Sequence, residues 1–297
     1  MKIYDCFMFF DEEMLLDLRL NIMNKYVDKF IITEATYMHS GKSKKLVFDI
    51  NKFSKFKDKI IYNVVDKLPG NIEIINKDDD KVARGNKLIH NSIKRENYQR
   101  EMAKKLLEDA QEEDIILIND IDEIPNLDGV NFNNINNKII IFQQKTFYYK
   151  FNLIYQNLIW HGSKACKKKF FISPQWLRNV KHKKYSMWRL DLIFSKRKYT
   201  DIYYVKNGGW HFTNIKSPED LEKKFENFLH HQDFEASGLK LEDIKKMVKN
   251  NKILYDLGID RRNYKWNGTK TLAKVDISEM PKYLFNNYEK YSDWLEI

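Results

Sequence analysis

Apolar residues in the first part of the chain form short runs that alternate with a stretch of helical periodicity. Residues 3–10, 29–33 and 60–65 are apolar, β-type runs that predict three strands. Over residues 11–28 apolar side chains recur at helical spacing, and acids occupy the first turn, where they suit the helix dipole. This order predicts a β-α-β unit, and therefore a parallel sheet with right-handed crossovers.

A fourth predicted strand leads directly into a group of acids. Residues 76–87 are rich in charge and predict a mobile loop, and residues 88–110 predict a helix. The apolar run at residues 114–118 predicts a buried strand, and the motif DIDEIP follows it at residues 120–125. Open α/β sheets bind ligands at the carboxyl ends of their strands, so we expect a binding site here.

The spacing of two of these acids indicates a cation site. Asp120 and Asp122 are two residues apart, and on an extended segment their side chains point the same way, so both could face one hard cation. Pro125 is expected to end the strand. The motif suggests a metal ion that holds a diphosphate.

The pattern changes beyond residue 137. Aromatic, β-prone runs at residues 139–143, 147–151 and 155–160 predict antiparallel strands, and residues 164–169 predict a loop rich in basic residues. Ser217 followed by Pro218 is a strong helix start. Helices are expected at residues 217–234, 241–250 and 281–295.

Composition adds less to the picture than the pattern does. The chain has 297 residues and a net charge of +10, which favours anionic partners, although the abundance of Lys, Asn and Ile also fits a genome rich in A and T. The two cysteines are far apart and indicate a reducing compartment. We expect no signal peptide and no membrane span, and therefore a cytoplasmic protein whose membrane contact, if any, is peripheral and made through its basic surface.

Five stretches together resemble glycosyltransferase family 17, whose best-known members are the β-1,4-mannosyl-glycoprotein 4-β-N-acetylglucosaminyltransferases. The stretches, in chain order, are FFDEEMLLDLRL, EATYMHSGK, DIDEIP, GGWHFTN and PKYLFNNYEKY. The resemblance implies a GT-A type, inverting transferase that uses UDP-N-acetylglucosamine, a divalent cation such as Mn²⁺ or Mg²⁺, and a glycan acceptor.

The resemblance and the pattern together give the expected organisation. The fold class is α/β, with a Rossmann-like central mixed sheet flanked by helices and a C-terminal helical appendage. The catalytic domain is expected at residues 1–215, with a nucleotide-sugar-binding half at 1–125 and an acceptor half at 126–215. Residues 216–297 are expected to form a helical segment packed on this core.

The resemblance also implies roles for three residues, and a physical argument gives a role to a fourth. Asp122 is expected to bind the metal directly, and Asp120 to contact the ribose or the metal. His211, in the GGWHFTN stretch, is expected to complete the metal shell, although a histidine between aromatic residues is also typical of a core. Glu123 could orient the acceptor or the donor sugar, because a third acid beside a metal is costly without a role.

Inversion by single displacement requires a general base near the acceptor hydroxyl. The candidates are Glu34, Glu96, Asp191 and Asp233, and the sequence does not choose among them. Glu34 follows a predicted buried strand and could equally bind uridine or the substrate.

Arginines and aromatic residues supply further candidates. Arg95 and Arg100 suit diphosphate oxygens, with Gln99 beside them, although a charged helix face with a Glu96–Arg100 pair is the alternative. Aromatic residues that could stack on sugar rings or pack in the core are Tyr148, Tyr149, Trp160, Trp176 and Trp188.

Two other functions fit parts of the pattern. One is a metal-dependent phosphoesterase or nuclease, and the other is a noncatalytic module that binds carbohydrate or nucleic acid. Few further His and Asp residues are available for a two-metal hydrolase, and three acids repel nucleic acid, so no nucleic-acid partner is expected. Because the chain lacks the stalk and signal anchor of the animal enzymes, we expect a bacterial or viral enzyme that acts on a surface polysaccharide, a lipopolysaccharide or another glycan.

Overall fold

The computed structural model of the protein describes residues 1–296 with the exception of 184, 187, 193, 228–230, 260–264 and 267. Within these ranges the chain forms a mixed α/β structure in which two mixed sheets are flanked by helices. The coarse fold class predicted from the hydrophobic pattern is therefore confirmed. The predicted domain boundaries at residues 125 and 215 stay predictions.

The larger sheet has seven strands. Across the sheet they are β10 (Ile202–Val205), β6 (Ile139–Phe142), β9 (Lys164–Lys167), β4 (Ile115–Ile118), β1 (Ile3–Phe9), β2 (Lys29–Ala35) and β3 (Ile60–Val65). Strands β1 to β4 are parallel, β9 is antiparallel to both of its neighbours, and β10 is parallel to β6. The carboxyl ends of β1, β2 and β4 thus lie at one edge, where the predicted site is expected.

Helices cover both faces of this sheet, which explains why β4 is a continuous apolar run. Ile115 and Leu117 pack on the side of helix α1 (Glu13–Met23). Ile116 and Ile118 pack on the opposite side, with the 3-10 turn that follows helix α2 (Lys81–Glu101). Helix α3 (Pro174–Asn179) packs on that second side as well.

The smaller sheet contains five strands and begins where the acids end. Its strands, in order, are β12 (Ala273–Lys274), β8 (Leu153–Trp160), β7 (Gln144–Tyr148), β11 (Gly209–Thr213) and β5 (Glu123–Pro125). Strand β11 is parallel to β7 and antiparallel to β5. The acidic motif therefore spans the point at which the chain leaves the larger sheet through β4 and enters the smaller sheet through β5.

The C-terminal residues pack in two places. Helices α4 (Pro218–Asn227), α5 (His231–Ser237) and α6 (Leu241–Lys249) cover a face of the smaller sheet. The short helix α7 (Lys282–Asn286) lies against α1. Among the described residues, no helix combines the length and the apolar character needed to cross a membrane.

The loop predicted at residues 164–169 is wrong for four of its six residues, because residues 164–167 form the interior strand β9. Ala165 and Cys166 are fully buried there. The Lys164 ammonium is buried too, and it donates to the backbone carbonyls of Arg178 and Val180. These two hydrogen-bond acceptors stabilise the buried ammonium, which the sequence pattern predicted to be exposed to solvent.

The structure also corrects two helix predictions and bears on a third. Helix α2 begins at Lys81, within the predicted mobile loop, because the Asp80 carboxylate accepts from the Ala83 amide and caps the helix. The predicted helix at residues 281–295 is two short pieces, since Asn287 has non-helical dihedral angles and a 3-10 turn follows it. The predicted helix at residues 217–234 is represented by α4 and the start of α5, and residues 228–230 lie outside the described residues.

Candidate functional site

A buried arginine holds the backbone of the acidic turn, which we define as residues 120–123. The Arg19 side chain of α1 is fully buried and donates to the carbonyl oxygens of Asp120, Ile121 and Glu123 at 3.3, 3.4 and 2.7 Å. Asp5 on β1 holds the other edge of the guanidinium at 2.6 and 2.8 Å. This pairing orients Arg19 and so determines the path of the turn.

The turn also changes the expected geometry of the two aspartates. The amide of Glu123 donates to the carbonyl of Asp120 at 3.0 Å, so these residues form a tight turn rather than an extended segment. The expectation that Asp120 and Asp122 face the same cation on an extended segment is therefore wrong in its premise. The two carboxylates have different surroundings.

Asp120 and Glu123 face two arginines, and we call these four residues the arginine-paired side. Arg178 on α3 donates to Glu123 at 2.7 and 2.9 Å and also to Asp120. Arg100 on α2 donates to Asp120 at 3.0 Å. The indole of Trp160 donates to Glu123 at 2.6 Å. Glu123 is fully buried, and both of its carboxylate oxygens accept hydrogen bonds from these donors. A buried carboxylate with all of its partners in place stabilises the shape of the site.

The electrostatics of this side follow from the pairing. Burial raises the pKa of Asp120, but Arg178 and Arg100 outweigh burial, and the pKa falls well below its usual range. The same acids raise the pKa of the Arg178 guanidinium against the effect of burial. The packing around Glu123 also requires a glycine at position 162. A Cβ atom at Gly162 would lie 1.8 Å from a carboxylate oxygen of Glu123.

A cavity of about 300 Å³ opens beside the turn. Its wall consists of residues 8–10 at the end of β1, Glu12, His39, two residues of α2, residues 120–122 of the acidic turn, and Lys224. The two α2 residues are Glu96 and Gln99. The cavity thus lies at the carboxyl edge of the parallel strands, as the position of the acids predicts.

Asp122 and Lys224 line this cavity and His211 lies beside Asp122, and we call these three residues the cavity side. The Asp122 carboxylate lies 3.7 Å from Nε2 of His211. The imidazole of His211 stacks on Trp160 with 4.4 Å between ring centres and 16° between planes. Among the described residues, Asp122 forms no ion pair with an arginine or a lysine, in contrast to Asp120.

Strand pairing aims His211 at the turn. In the antiparallel ladder of β11 and β5, His211 lies opposite Glu123 and Gly209 lies opposite Pro125. Gly209 has a φ of +127°, and a Cβ atom there would lie 2.2 Å from the carbonyl oxygen of Ile124. Glycine at this position therefore allows the close approach of the two strands.

Lys224 is a cavity residue that the sequence analysis missed. Its ammonium donates to Oδ1 of Asn214 at 2.7 Å, and burial lowers its pKa while Asp122 and Glu12 partly oppose the shift. One signal was present in the sequence. Lys224 lies three residues after the buried Leu221 and hence on the inward face of α4, where a solvent-exposed lysine is not expected.

The inward face of α2 is polar, although the helix predicted at residues 88–110 would ordinarily bury an apolar face. The buried residues of α2 are Asn91, Ser92, Arg95, Gln99 and Arg100. Gln99 donates to the carbonyl of Thr33 at 3.0 Å and contacts His39 at 3.3 Å. Glu96 pairs with Arg100 at 2.8 Å, and although burial raises the Glu96 pKa, Arg100 and His39 lower it overall.

The structure places the other predicted residues away from the cavity. Both carboxylate oxygens of Glu34 accept hydrogen bonds, from the amides of Val47 and Phe48 and from Tyr62 at 2.8–3.1 Å, and Lys44 forms an ion pair with it. Glu34 thus holds the loop after β2.

Arg95 donates to the carbonyl of His39 at 3.0 Å and lies behind the cavity wall. Asp191 pairs with Arg189 and Lys198 on the surface, and Asp233 is exposed on α5.

The aromatic candidates divide similarly. Trp160 supports His211 and Glu123, whereas Tyr148 and Tyr149 are fully buried and donate to backbone carbonyls of the C-terminal segment. Trp176 donates to the carbonyl of Lys196 at 2.6 Å. Trp188 is 91% exposed.

Within the described ranges, no group of three or more His, Cys, Asp or Glu side chains could hold a metal ion. Asp122 and His211 form a pair at this edge, which is smaller than such a group. A carboxylate oxygen and an imidazole nitrogen are ligand types that Mn²⁺ accepts.

Comparison with known proteins identifies the family. No curated protein matches the chain. One similar solved structure is a protein classed as a glucose-1-phosphate thymidylyltransferase from Bacillus anthracis, in complex with sucrose. It has 11% identity and a TM-score of 0.32 over 70% of this chain and 87% of that chain. The sequence profile of Glycosyltransferase family 17 matches residues 1–295, so the chain belongs to glycosyltransferase family 17 and is a glycosyltransferase.

Proposed function

We propose that the protein is an inverting, GT-A type transferase that moves N-acetylglucosamine from UDP-N-acetylglucosamine to a glycan acceptor with the help of a divalent cation. One observation carries the proposal. Asp120 and Asp122 of the turn at residues 120–123 both line the cavity, but Asp120 and Glu123 are paired with arginines, whereas Asp122 lies beside a histidine and forms no ion pair with a described arginine or lysine.

Asp122 and His211 are proposed as the metal ligands. A carboxylate oxygen and an imidazole nitrogen 3.7 Å apart fit one small divalent cation. When bound, such a cation neutralises the negative charge that develops on the departing diphosphate. Asp120, which the sequence analysis also assigned to the metal, already accepts from Arg100 and Arg178, so we propose it as a ribose contact only.

The rest of the cavity is proposed to hold the nucleotide and its phosphates. His39 and Gln99 line the cavity beside residues 8–10 and supply polar groups for a nucleobase. Lys224 also lines the cavity and is near enough to Asp122 for their charges to interact, so we propose that the diphosphate lies there. We propose that its ammonium donates to a phosphate oxygen.

Glu123, Glu34, Arg95 and Arg100 receive supporting roles in this proposal. Each is held by the contacts described above, so each shapes the site or its surroundings without touching the sugar. Of the four candidate bases, Glu96 is the one in the cavity wall, and its lowered pKa makes it a weak proton acceptor. We therefore propose Glu96 as a nucleotide contact.

Thermal-shift measurements with UDP and UDP-N-acetylglucosamine, with and without Mn²⁺, test the proposal. We expect the melting temperature to rise with nucleotide and Mn²⁺ together, and to rise less with either alone. Single-stranded DNA serves as the control for the phosphoesterase or nuclease alternative. Stabilisation by DNA, or by Mn²⁺ without any nucleotide dependence, would contradict the transferase site as proposed.

A further inference from the structure

A surface loop between α3 and β10 is closed at its neck. The amide of Lys181 donates to the carbonyl of Arg197 at 2.7 Å, so the two ends meet. Trp176 donates to the carbonyl of Lys196, and Tyr204 donates to the carbonyl of His182 at 2.8 Å. The described part of this segment is therefore an Ω-type loop fixed to the body of the protein, and we call the described residues within 181–198 the basic loop.

Two large aromatic side chains project from the basic loop into solvent. Trp188 is 91% exposed and Phe194 is 88% exposed, and they are the most exposed of the large hydrophobic side chains described. Exposed apolar surface is unfavourable in water. Trp in particular suits the boundary between water and lipid, where its ring lies at the level of the headgroups.

The charge around these aromatics is strongly positive. The described basic residues of the loop are Lys181, Lys183, Arg189, Lys196, Arg197 and Lys198. Their one acidic neighbour in the loop, Asp191, already pairs with Arg189 and Lys198. Lys183, Lys196 and Arg197 are exposed, so the outer surface of the loop combines cations with aromatic rings.

We propose that the basic loop docks the protein on an anionic lipid bilayer. Trp188 and Phe194 enter the headgroup region, and the exposed cations lie against lipid phosphates. Electrostatic attraction to anionic lipid contributes an amount that grows with each basic residue, and the aromatic rings add burial of apolar surface. A soluble polyanion supplies phosphate or sulfate charge but offers no apolar layer for the two rings, which is why a membrane fits this surface better.

The position of the loop has a consequence for the transferase. Its neck follows α3, which carries Arg178 of the arginine-paired side, only a few residues away. Docking would thus hold the acidic turn close to the bilayer and favour a lipid-linked or membrane-bound glycan as acceptor. This last step rests on the proposed function, whereas the docking itself does not.

Cosedimentation with lipid vesicles tests the docking. We expect the protein to sediment with phosphatidylcholine vesicles that contain about one third phosphatidylglycerol, and to stay in solution with phosphatidylcholine alone. The double change Trp188→Ala with Phe194→Ala should weaken binding about tenfold or more. The matched control is Ile74→Ala with Val82→Ala, which removes two exposed apolar side chains elsewhere and should leave binding unchanged.

Charge is tested separately. Lys183→Glu with Arg197→Glu should weaken binding by about tenfold or more, since each basic residue near the surface contributes to the attraction. Lys57→Glu with Lys67→Glu changes the net charge equally on another exposed surface and should have a smaller effect. Raising the salt concentration from about 0.1 M to about 1 M should release the wild-type protein.

A spectroscopic variant locates the inserted ring. The tryptophan emission should shift to shorter wavelength when anionic vesicles are added, and Trp188→Phe should abolish this shift while sedimentation persists. The proposal fails if the double aromatic variant binds like the wild type, or if heparin binds and vesicles do not. Melting temperatures of all variants, measured without lipid, exclude unfolding as the cause of lost binding.

Discussion

The two sides of the acidic turn contrast in how their charges are satisfied. On the arginine-paired side, the Asp120 and Glu123 carboxylates are matched by Arg100 and Arg178. On the cavity side, Asp122 lies beside the imidazole of His211 and near the half-buried Lys224. The contrast teaches that two acids only two residues apart can have different roles. A carboxylate that is already paired with arginines stabilises the shape of the site, whereas a carboxylate without such an ion pair is available to a ligand.

Replacing Asp122 by Asn is the sharpest attempt to break this contrast. We expect transfer activity to fall roughly 10²–10³-fold, because an electrostatic contact used in the transition state is lost. UDP binding in the presence of Mn²⁺ should weaken while the melting temperature changes little, as isothermal titration and thermal unfolding would measure. Asp128→Asn, at an exposed acid just after the motif, is the control. Unchanged UDP affinity in Asp122→Asn would move the donor site elsewhere.

Removing Arg178 tests the opposite side. Arg178→Met leaves a buried Glu123 and a partly buried Asp120 without their shared partner, and the free energy of unfolding should fall by about 3–5 kcal/mol. Denaturant titration provides the measurement, and Arg84→Met on the exposed face of α2 provides the control. A loss no larger than that of the control would show that the arginine-paired side does not stabilise the fold.

Lys224→Met sharpens the assignment of the cavity side. A hydrogen bond to a charged group contributes about 1.5–3 kcal/mol, so the affinity for UDP should fall by about 10–100-fold. Mn²⁺ binding, monitored by its paramagnetic effect on water relaxation, should persist because Asp122 and His211 remain. Lys223→Met removes the neighbouring, exposed lysine and should leave both unchanged. Equal UDP affinity in the two variants would remove Lys224 from the diphosphate site.

Glu34→Gln tests whether Glu34, at the end of β2, takes part in binding the UDP-sugar donor. Glu34 accepts from two amides and a tyrosine hydroxyl, so we expect a loss of about 1–3 kcal/mol in stability with unchanged UDP affinity. Chemical denaturation and UDP titration on the same samples separate the two effects. Weak UDP binding in a variant of normal stability would restore Glu34 to the donor site.

The smallest expected effect is a loss of folding stability at acid pH, caused by His161. Burial, and then the neighbouring His182, lower the pKa of His161 to about 4, against a value of about 6.5 in an unfolded chain. As the pH falls from about 6.5 to about 4, the unfolded chain binds a proton that the folded protein resists, so stability decreases, by about 1–2 kcal/mol after allowance for solvent screening. His161→Gln should flatten this part of the stability curve. A curve identical to that of the wild type would show that His161 is not held neutral.

Much of the cavity side could be predicted from the sequence, because local patterns carry it. The run at residues 115–118 predicts β4, and the acids after it mark the carboxyl edge of the sheet. The resemblance to the family, now confirmed, singles out His211, which the structure places beside Asp122. These signals are short in sequence and do not depend on how distant segments meet.

The arginine-paired side could not be predicted in the same way. Arg178 reaches Asp120 across 58 residues, and Arg19 reaches the same turn across about 100 residues, so neither contact leaves a local pattern. The turn itself broke the alternation expected of an extended strand. The burial of Lys164 could not be predicted for a related reason. Its ammonium is stabilised by backbone carbonyls in and just after α3, which are distant in sequence.

The pairing of β11 with β5 has a consequence for how the family could vary. Since neighbouring residues on a strand point to opposite faces, one extra or missing residue in the turn before Gly209 would exchange the places of Trp210 and His211. The imidazole would then point away from Asp122 although every residue of GGWHFTN was still present. The length of that turn thus decides which of the two rings lies beside the acid.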